Sequence, residues 1–220
     1  MSITENLNHI KSTLPKHVTL VAVSKTKPVA DIMEAYHAGQ RIFGENKIQD
    51  MVEKHEEMPK DIQWHMIGHV QRNKVKYMAP FVNLIHGVEN FKTLKEINKQ
   101  AKKHDRIIDC LLQIKIASED SKFGMTESEA SEIIQSDEFS ELKNIHIVGV
   151  MGMATFTDND EQIKKEFSQL KSTSDNLKTL NSNIQIISMG MSGDYKQAID
   201  CGSNMVRVGS SIFGSRNYNQ

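Results

Sequence analysis

The sequence predicts a single (β/α)₈ barrel over residues 1–220, with an extra helix ahead of the first strand. Short apolar runs alternate with amphipathic stretches from one end of the chain to the other. They make eight strand-then-helix units with no strand-only region. No Ser/Gly-rich linker or low-complexity tract divides the 220 residues, a length that suits one α/β barrel. An open doubly wound sheet is the alternative arrangement of the same units.

Each element has its own signal. A polar segment over 2–13 reads as a helix with no strand before it, flanking the outside of the barrel. The first strand, 18–24, is the β-branched run Val18-Thr19-Leu20-Val21-Ala22-Val23-Ser24, and it ends on Lys25. Pro28 suits the first turn of the following helix, 28–38. Strand 41–44 leads into helix 45–58, and strand 63–67 into the weakest unit, whose short helix is stopped by Pro80. Strands 82–86 and 107–116 are separated by helix 90–104, and helix 126–136 precedes strand 145–151. The long amphipathic stretch 159–180 leads to strand 184–189, and a helix from about 194 leads to the last strand, 205–208.

Lys plus Arg number 27 against 28 for Asp plus Glu, so the net charge of −1 gives no electrostatic reason to expect nucleic acid or an anionic membrane as a partner. The first ten residues lack the basic start and apolar centre of a secretory signal, and no apolar stretch is long enough to cross a bilayer. A cytoplasmic location is the expectation, with Cys110 and Cys201 as buried free thiols rather than a disulfide.

A barrel of this kind keeps its chemistry at the carboxyl ends of its strands and often binds phosphate after strands seven and eight. Lys25 stands at such an end, where partial desolvation lowers an amine's pKa and suits it to Schiff-base formation. After strand seven comes Ser188-Met189-Gly190-Met191-Ser192-Gly193-Asp194, in which Ser192 can cap the next helix. After strand eight, Gly209 and Ser210 offer amides and a hydroxyl to phosphate oxygens; ordinary turn glycines account equally well for either loop alone, and less well for the two together in the seventh and eighth positions. Arg207 alternates with Val206 and Val208 and faces the barrel mouth, toward a ligand acceptor or a structural ion pair.

Glu45 and Asn46 end the second strand, putting a carboxylate and an amide at the mouth; Glu45 reads equally well as a first-turn helix acid. His65 and His69 are four apart, but the run is strand-like and broken by Gly68, so no metal site is expected, and His65 should share the barrel interior with Ile67. Met151, Met153, Met189 and Met191 flank strand ends six and seven, as core or as the wall of a planar ligand's pocket. No Walker loop, dinucleotide fingerprint or Ser/His/Asp signature is present.

Taken together, Val23-Ser24-Lys25-Thr26-Lys27-Pro28, Phe43-Gly44-Glu45-Asn46, Trp64-His65-Met66-Ile67-Gly68, Ser121-Lys122-Phe123-Gly124 and Ser188 to Ser192 through Arg207-Val208-Gly209-Ser210 closely resemble the pyridoxal 5′-phosphate homeostasis protein family. Its members are single-domain relatives of the alanine racemase barrel. The resemblance runs from about 18 to 216, with the motifs in the family's order. It implies pyridoxal phosphate held as a Schiff base on Lys25, its phosphate on Ser192, Gly209 and Ser210, Arg207 near the pyridine nitrogen, and Asn46 beside the ring. His65 and the Met189–Gly190 segment should line the pocket. The chain departs from the usual pattern at Gly149-Val150-Met151-Gly152-Met153, at Lys115 and at His69-Val70.

The resemblance implies a cofactor-binding protein that takes part in pyridoxal phosphate homeostasis and delivery without turnover of its own, so no catalytic residue is assigned. Apo-forms of pyridoxal phosphate enzymes are the implied partners; a monomer is expected, with a dimer as the alternative. The rival is a racemase-like enzyme, which needs acid/base groups on both faces of the cofactor. None of Tyr36, Tyr77, Tyr195 and Tyr218 ends a strand, and no second domain is expected. Lys27, Lys47, Lys115 and Lys122 read as solvated lysines, with transient capture of the aldehyde as the alternative.

Overall fold

Eight parallel strands close into a barrel in the order β1-β2-β3-β4-β5-β6-β7-β8. The structure, a computed structural model, describes residues 2–119 and 123–214. The chain begins with α1 (Ile3–Thr13), β1 (Thr19–Val23), α2 (Val29–His37), β2 (Ile42–Glu45), α3 (Ile48–Glu57) and β3 (Gln63–Met66). A 3-10 turn (Arg72–Lys74) then leads to α4 (Val75–Met78), β4 (Leu84–Val88), α5 (Phe91–Lys103) and β5 (Ile108–Gln113). After these come α6 (Glu127–Gln135), α7 (Asp137–Ser140), β6 (Ile145–Met151), α8 (Asp160–Leu180) and β7 (Ile186–Ser188). The chain finishes with α9 (Tyr195–Asp200), β8 (Met205–Val208) and α10 (Ser210–Phe213).

The strand positions agree with the periodicity, with shifts at their ends. Strand four starts at Leu84 rather than 82, because Val82 packs in the core as part of the turn after α4. Strand five stops at Gln113 rather than 116. Pro28 lies at the N-cap of α2, with φ −69° and ψ 157°, and not in its first turn. The helix starts are set by side chains: Ser2 and Thr126 form capping boxes with Glu5 and Glu129, and the Asn90 and Asn159 side chains accept amides of α5 and α8.

Ring closure differs from eight equal repeats. The helix after β8 is the single turn α10, and α1 packs beside it. Leu7 and Ile10 bury the inner stripe of α1, Asn6 Nδ2 donates to the Ile212 carbonyl at 3.1 Å, and the Thr4 amide donates to Glu34 on α2 at 2.9 Å. The segment expected on the outside of the barrel therefore bridges α10 and α2.

Alternation along the strands divides the core in two. Outward residues such as Ala22, Phe43, Trp64, Ile85 and Cys110 join the large layer between strands and helices. Inward residues form a smaller cluster around Val21, Leu84, Leu111, Met151 and Met205, with Ile67 and Met153 against it. Cys110 is buried as expected, whereas Cys201 is only half-buried; both are free thiols. Among the described residues no helix is long and apolar enough to cross a membrane.

Candidate functional site

Sheet register assembles the site. Val23 of β1 pairs with Gly44 of β2, which pairs with His65 of β3, so Lys25 and Asn46 each stand two residues beyond this level at the barrel mouth. On the other side Ala22 pairs with Val208, which brings Gly209 beside Val23; a Cβ on Gly209 would lie 3.2 Å from Val23 Cβ. Ser192 Oγ accepts the amides of Gly209 at 3.2 Å and Ser211 at 3.4 Å, joining the loop after β7 to that after β8. Asn46, Lys25, Gly209, Ser210 and Ser192 thus line one arc across four adjacent strands.

The backbone at this arc is unusual in two places. Thr26, next to Lys25, has φ +63°, a region that a β-branched residue enters only under strain. Asn46 passes so close to β3 that a Cβ on Gly68 would come within 2.3 Å of the Asn46 carbonyl oxygen, so only glycine lets the two strand ends meet. Lys25 is half-buried and already engaged by other groups of the chain.

Below this arc lies a buried polar chain. Arg207 Nη1 donates to the Ser188 carbonyl at 2.8 Å and to Ser188 Oγ at 2.6 Å, and Nη2 donates to the Gly152 carbonyl at 3.1 Å. Ser188 Oγ is 3.0 Å from His86 Nδ1, and His86 Nε2 is 3.0 Å from His65 Nδ1. Burial lowers the His65 pKa to about 3 and that of Arg207 to about 10, and burial together with nearby His65 and Arg207 holds His86 well below its usual value. Both histidines are therefore neutral and Arg207 remains a cation near pH 7. Two of the five guanidinium N–H groups stay unused by these bonds, enough to meet a ligand acceptor.

Behind the same strands, on their helix side, Glu45 Oε1 takes hydrogen bonds from Lys54 Nζ at 2.7 Å and Ser24 Oγ at 2.5 Å. Lys54 Nζ also donates to the Ser24 carbonyl at 2.9 Å. Burial raises the Glu45 pKa despite the Lys54 charge, and Glu45 Oε2 has no partner among the described residues.

Several expectations need correction. Glu45 ends β2 and faces α3, so its carboxylate is neither at the mouth nor in a helix turn. Ser192 does not cap α9, which starts after Asp194 without a side-chain cap; it ties the two loops together instead. The Met189 side chain packs in the outer layer and turns away from the barrel interior, while Gly190, at φ +94°, passes so close to α9 that a Cβ there would come within 2.6 Å of Ala198 Cβ. His65 and His69 diverge, His65 toward His86 and His69 toward Glu89 at 3.1 Å. Lys27 Nζ is held by the Phe213 carbonyl at 2.8 Å, and the Tyr195 hydroxyl meets Thr13 on α1 at 3.1 Å. Ser121, Lys122 and Tyr218 lie outside the described residues. His86 and Ser188 fall inside the predicted strands 82–86 and 184–189 with no role assigned to their side chains; their inward parity, two residues from Leu84 and Ile186, was the signal available.

The alanine racemase N-terminal domain family matches residues 1–217. The pyridoxal phosphate homeostasis protein of Vibrio alginolyticus is 38% identical over 232 residues, covering 99% of each chain. The structure of PipY from Synechococcus elongatus with PLP bound superposes with a TM-score of 0.88 at 31% identity, over 97% of this chain and 100% of that one. An alanine racemase of Clostridium difficile gives 0.83 at 19% identity over 99% of this chain and 61% of that one, a likeness of fold alone. The chain belongs to the pyridoxal phosphate homeostasis proteins, within the alanine racemase N-terminal domain family.

Proposed function

We propose that this protein binds pyridoxal 5′-phosphate through Lys25 and serves to hold and supply that cofactor, with no substrate turnover of its own. The observation that carries the reading is the arc itself: one amine, a buried cation and two amide-bearing loops joined by Ser192. The cradle fits a phosphate. The amides of Ser192, Gly193 and Ser210 donate to no protein acceptor among the described residues, and a Cβ on Gly193 would meet nothing within 4 Å. Arg207, always charged near neutral pH, keeps two N–H groups for a pyridine nitrogen, and Asn46 stands beside the Lys25 strand end. His65 and Gly190 complete the wall, and Met189 contributes backbone only.

When bound, the cofactor supplies an aldehyde that a lysine amine captures and an electron-poor ring. The chain's own part is to present the Lys25 amine, fix the phosphate, and meet the ring nitrogen with a donor. A donor there leaves that nitrogen unprotonated, which suits retention better than carbanion chemistry. Relatives with this name are called homeostasis proteins, and PipY is a structure with PLP bound. Apo-forms of pyridoxal phosphate enzymes are the partners this role requires, in the cytoplasm, with the barrel working as a monomer and as one domain.

Titration of the purified protein with pyridoxal phosphate tests the reading. Wild type should gain a visible band from the lysine-bound cofactor, and Lys25→Ala should lack it while keeping its fold by circular dichroism. Multi-turnover racemisation of amino acids by wild type, lost in Lys25→Ala, would overturn the carrier role in favour of the enzyme.

A further inference from the structure

The buried chain Arg207–Ser188–His86–His65 has a direction. Arg207 only donates, and one of its bonds ends on Ser188 Oγ at 2.6 Å. Ser188 is fully buried, and among the described residues its hydroxyl proton has one remaining hydrogen-bond partner, His86 Nδ1 at 3.0 Å. If Ser188 donates there, neutral His86 carries its proton on Nε2 and donates it to His65 Nδ1 at 3.0 Å. His65 must then hold its own proton on Nε2.

The opposite direction fails. Were His86 Nδ1–H to donate to Ser188, the hydroxyl would accept from both neighbours and its proton would be left buried without an acceptor. The last proton of the favoured chain, on His65 Nε2, meets no acceptor among the described residues, although His65 is 4% exposed. It is also absent from the sealed unpaired atoms, which are Glu45 Oε2, His55 Nδ1, Trp64 Nε1 and Glu89 Oε1. His65 lies level with Val23, just beneath Lys25 and Asn46.

We infer that His86 and Ser188 are positioning residues that carry the donor direction of Arg207 across the barrel and fix His65 as its Nε2–H tautomer, aimed as a donor at an acceptor on the ring of the bound cofactor. The last clause rests on the proposed function; the tautomer relay does not. Burial keeps both histidines neutral, so the relay persists through neutral pH.

Long-range ¹H–¹⁵N correlation of the imidazoles in the ligand-free protein at neutral pH reads the tautomers directly. Both His65 and His86 should be neutral with the proton on Nε2. Ser188→Ala, which keeps the barrel filled, should give His65 a mixture of tautomers and lower the affinity for pyridoxal phosphate about tenfold, a loss of roughly 1.4 kcal/mol. A His65 protonated on Nδ1 in wild type overturns the relay, as does a tautomer unmoved in both Ser188→Ala and His86→Gln. A tautomer that shifts with no change in affinity overturns the donor role of His65. If wild type shows the stated tautomers but takes up no pyridoxal phosphate, the cofactor reading falls and the relay stands.

Discussion

Two buried polar clusters lie on opposite faces of the same barrel wall, and they are built on opposite principles. The helix-side cluster, Ser24, Glu45 and Lys54, is an ion pair whose hydrogen bonds all stay within the wall, with Glu45 Oε2 left over. The interior cluster, His65, His86, Ser188 and Arg207, keeps its histidines neutral and leaves two Arg207 N–H groups outside its own bonds. The first clamps the ends of β1 and β2, because Lys54 holds the carbonyl of the residue before Lys25. In the proposed function the second orients groups toward the cofactor. The contrast teaches that burial alone does not mark a functional group; what matters is whether its hydrogen bonds close within the wall or stay open at one end.

Breaking the clamp should have the largest effect on stability. Lys54→Met strands a fully buried Glu45, and removing one partner of such a pair costs about 3–5 kcal/mol in denaturant unfolding. Burial already lifts the Glu45 pKa, so the variant should be less damaged at pH 5.5 than at pH 8, where the carboxylate must ionise in place. The double variant Lys54→Met/Glu45→Gln should recover much of the loss. Equal losses in the single and double variants would show that the ion pair does not act as a unit.

Acid separates the clusters by sign. His65 and His86 have folded pKa values below the unfolded value near 6.5, so their contribution is complete above that pH and is lost as pH falls below it, for His65 down to about 3. Each histidine adds a slope of about 1.4 kcal/mol per pH unit to the loss of stability in that window. Unfolding free energies measured from pH 7 to 4.5 should show this fall, and His86→Gln should flatten it by about one proton. Glu45, whose pKa burial raises, acts in the opposite direction, and the histidines outweigh it because two protons are involved.

The smaller effects sharpen the boundary between clamp and site. Ser192→Ala frees the amides of Gly209 and Ser211 and should cost about 1 kcal/mol of stability, with an accompanying loss of pyridoxal phosphate affinity read by fluorescence titration. Thr26→Gly removes a side chain from φ +63° and should leave stability unchanged or raised by up to about 1 kcal/mol. Loss of stability in Thr26→Gly would place the strain elsewhere.

Much of the fold was legible because its signals are local. Apolar runs located all eight strands, and the caps at Asn90, Thr126 and Asn159 bounded their helices closely. The packing of α1 beside α10 was not legible, because it joins distant parts of the chain and no local pattern encodes it. The places of Lys25, Asn46 and Gly209 at the barrel mouth were legible because strand ends and turn glycines announce themselves, whereas Ser192 reads as a helix cap and instead ties two loops together. The facing of Glu45 was available too: Gly44 and Asn46 point inward, so Glu45 between them points outward to Lys54. His86 was hidden inside the apolar strand Leu84–Val88, and its pairing with Ser188 spans 102 positions in sequence.

The central claim is that Lys25 is the amine that takes the cofactor. Borohydride reduction of the protein incubated with pyridoxal phosphate, followed by proteolysis and mass spectrometry, tests it most directly. The account predicts one dominant pyridoxyl adduct on Lys25. A dominant adduct on any other lysine, Lys47, Lys115 or Lys122 included, or no adduct at all, would contradict it.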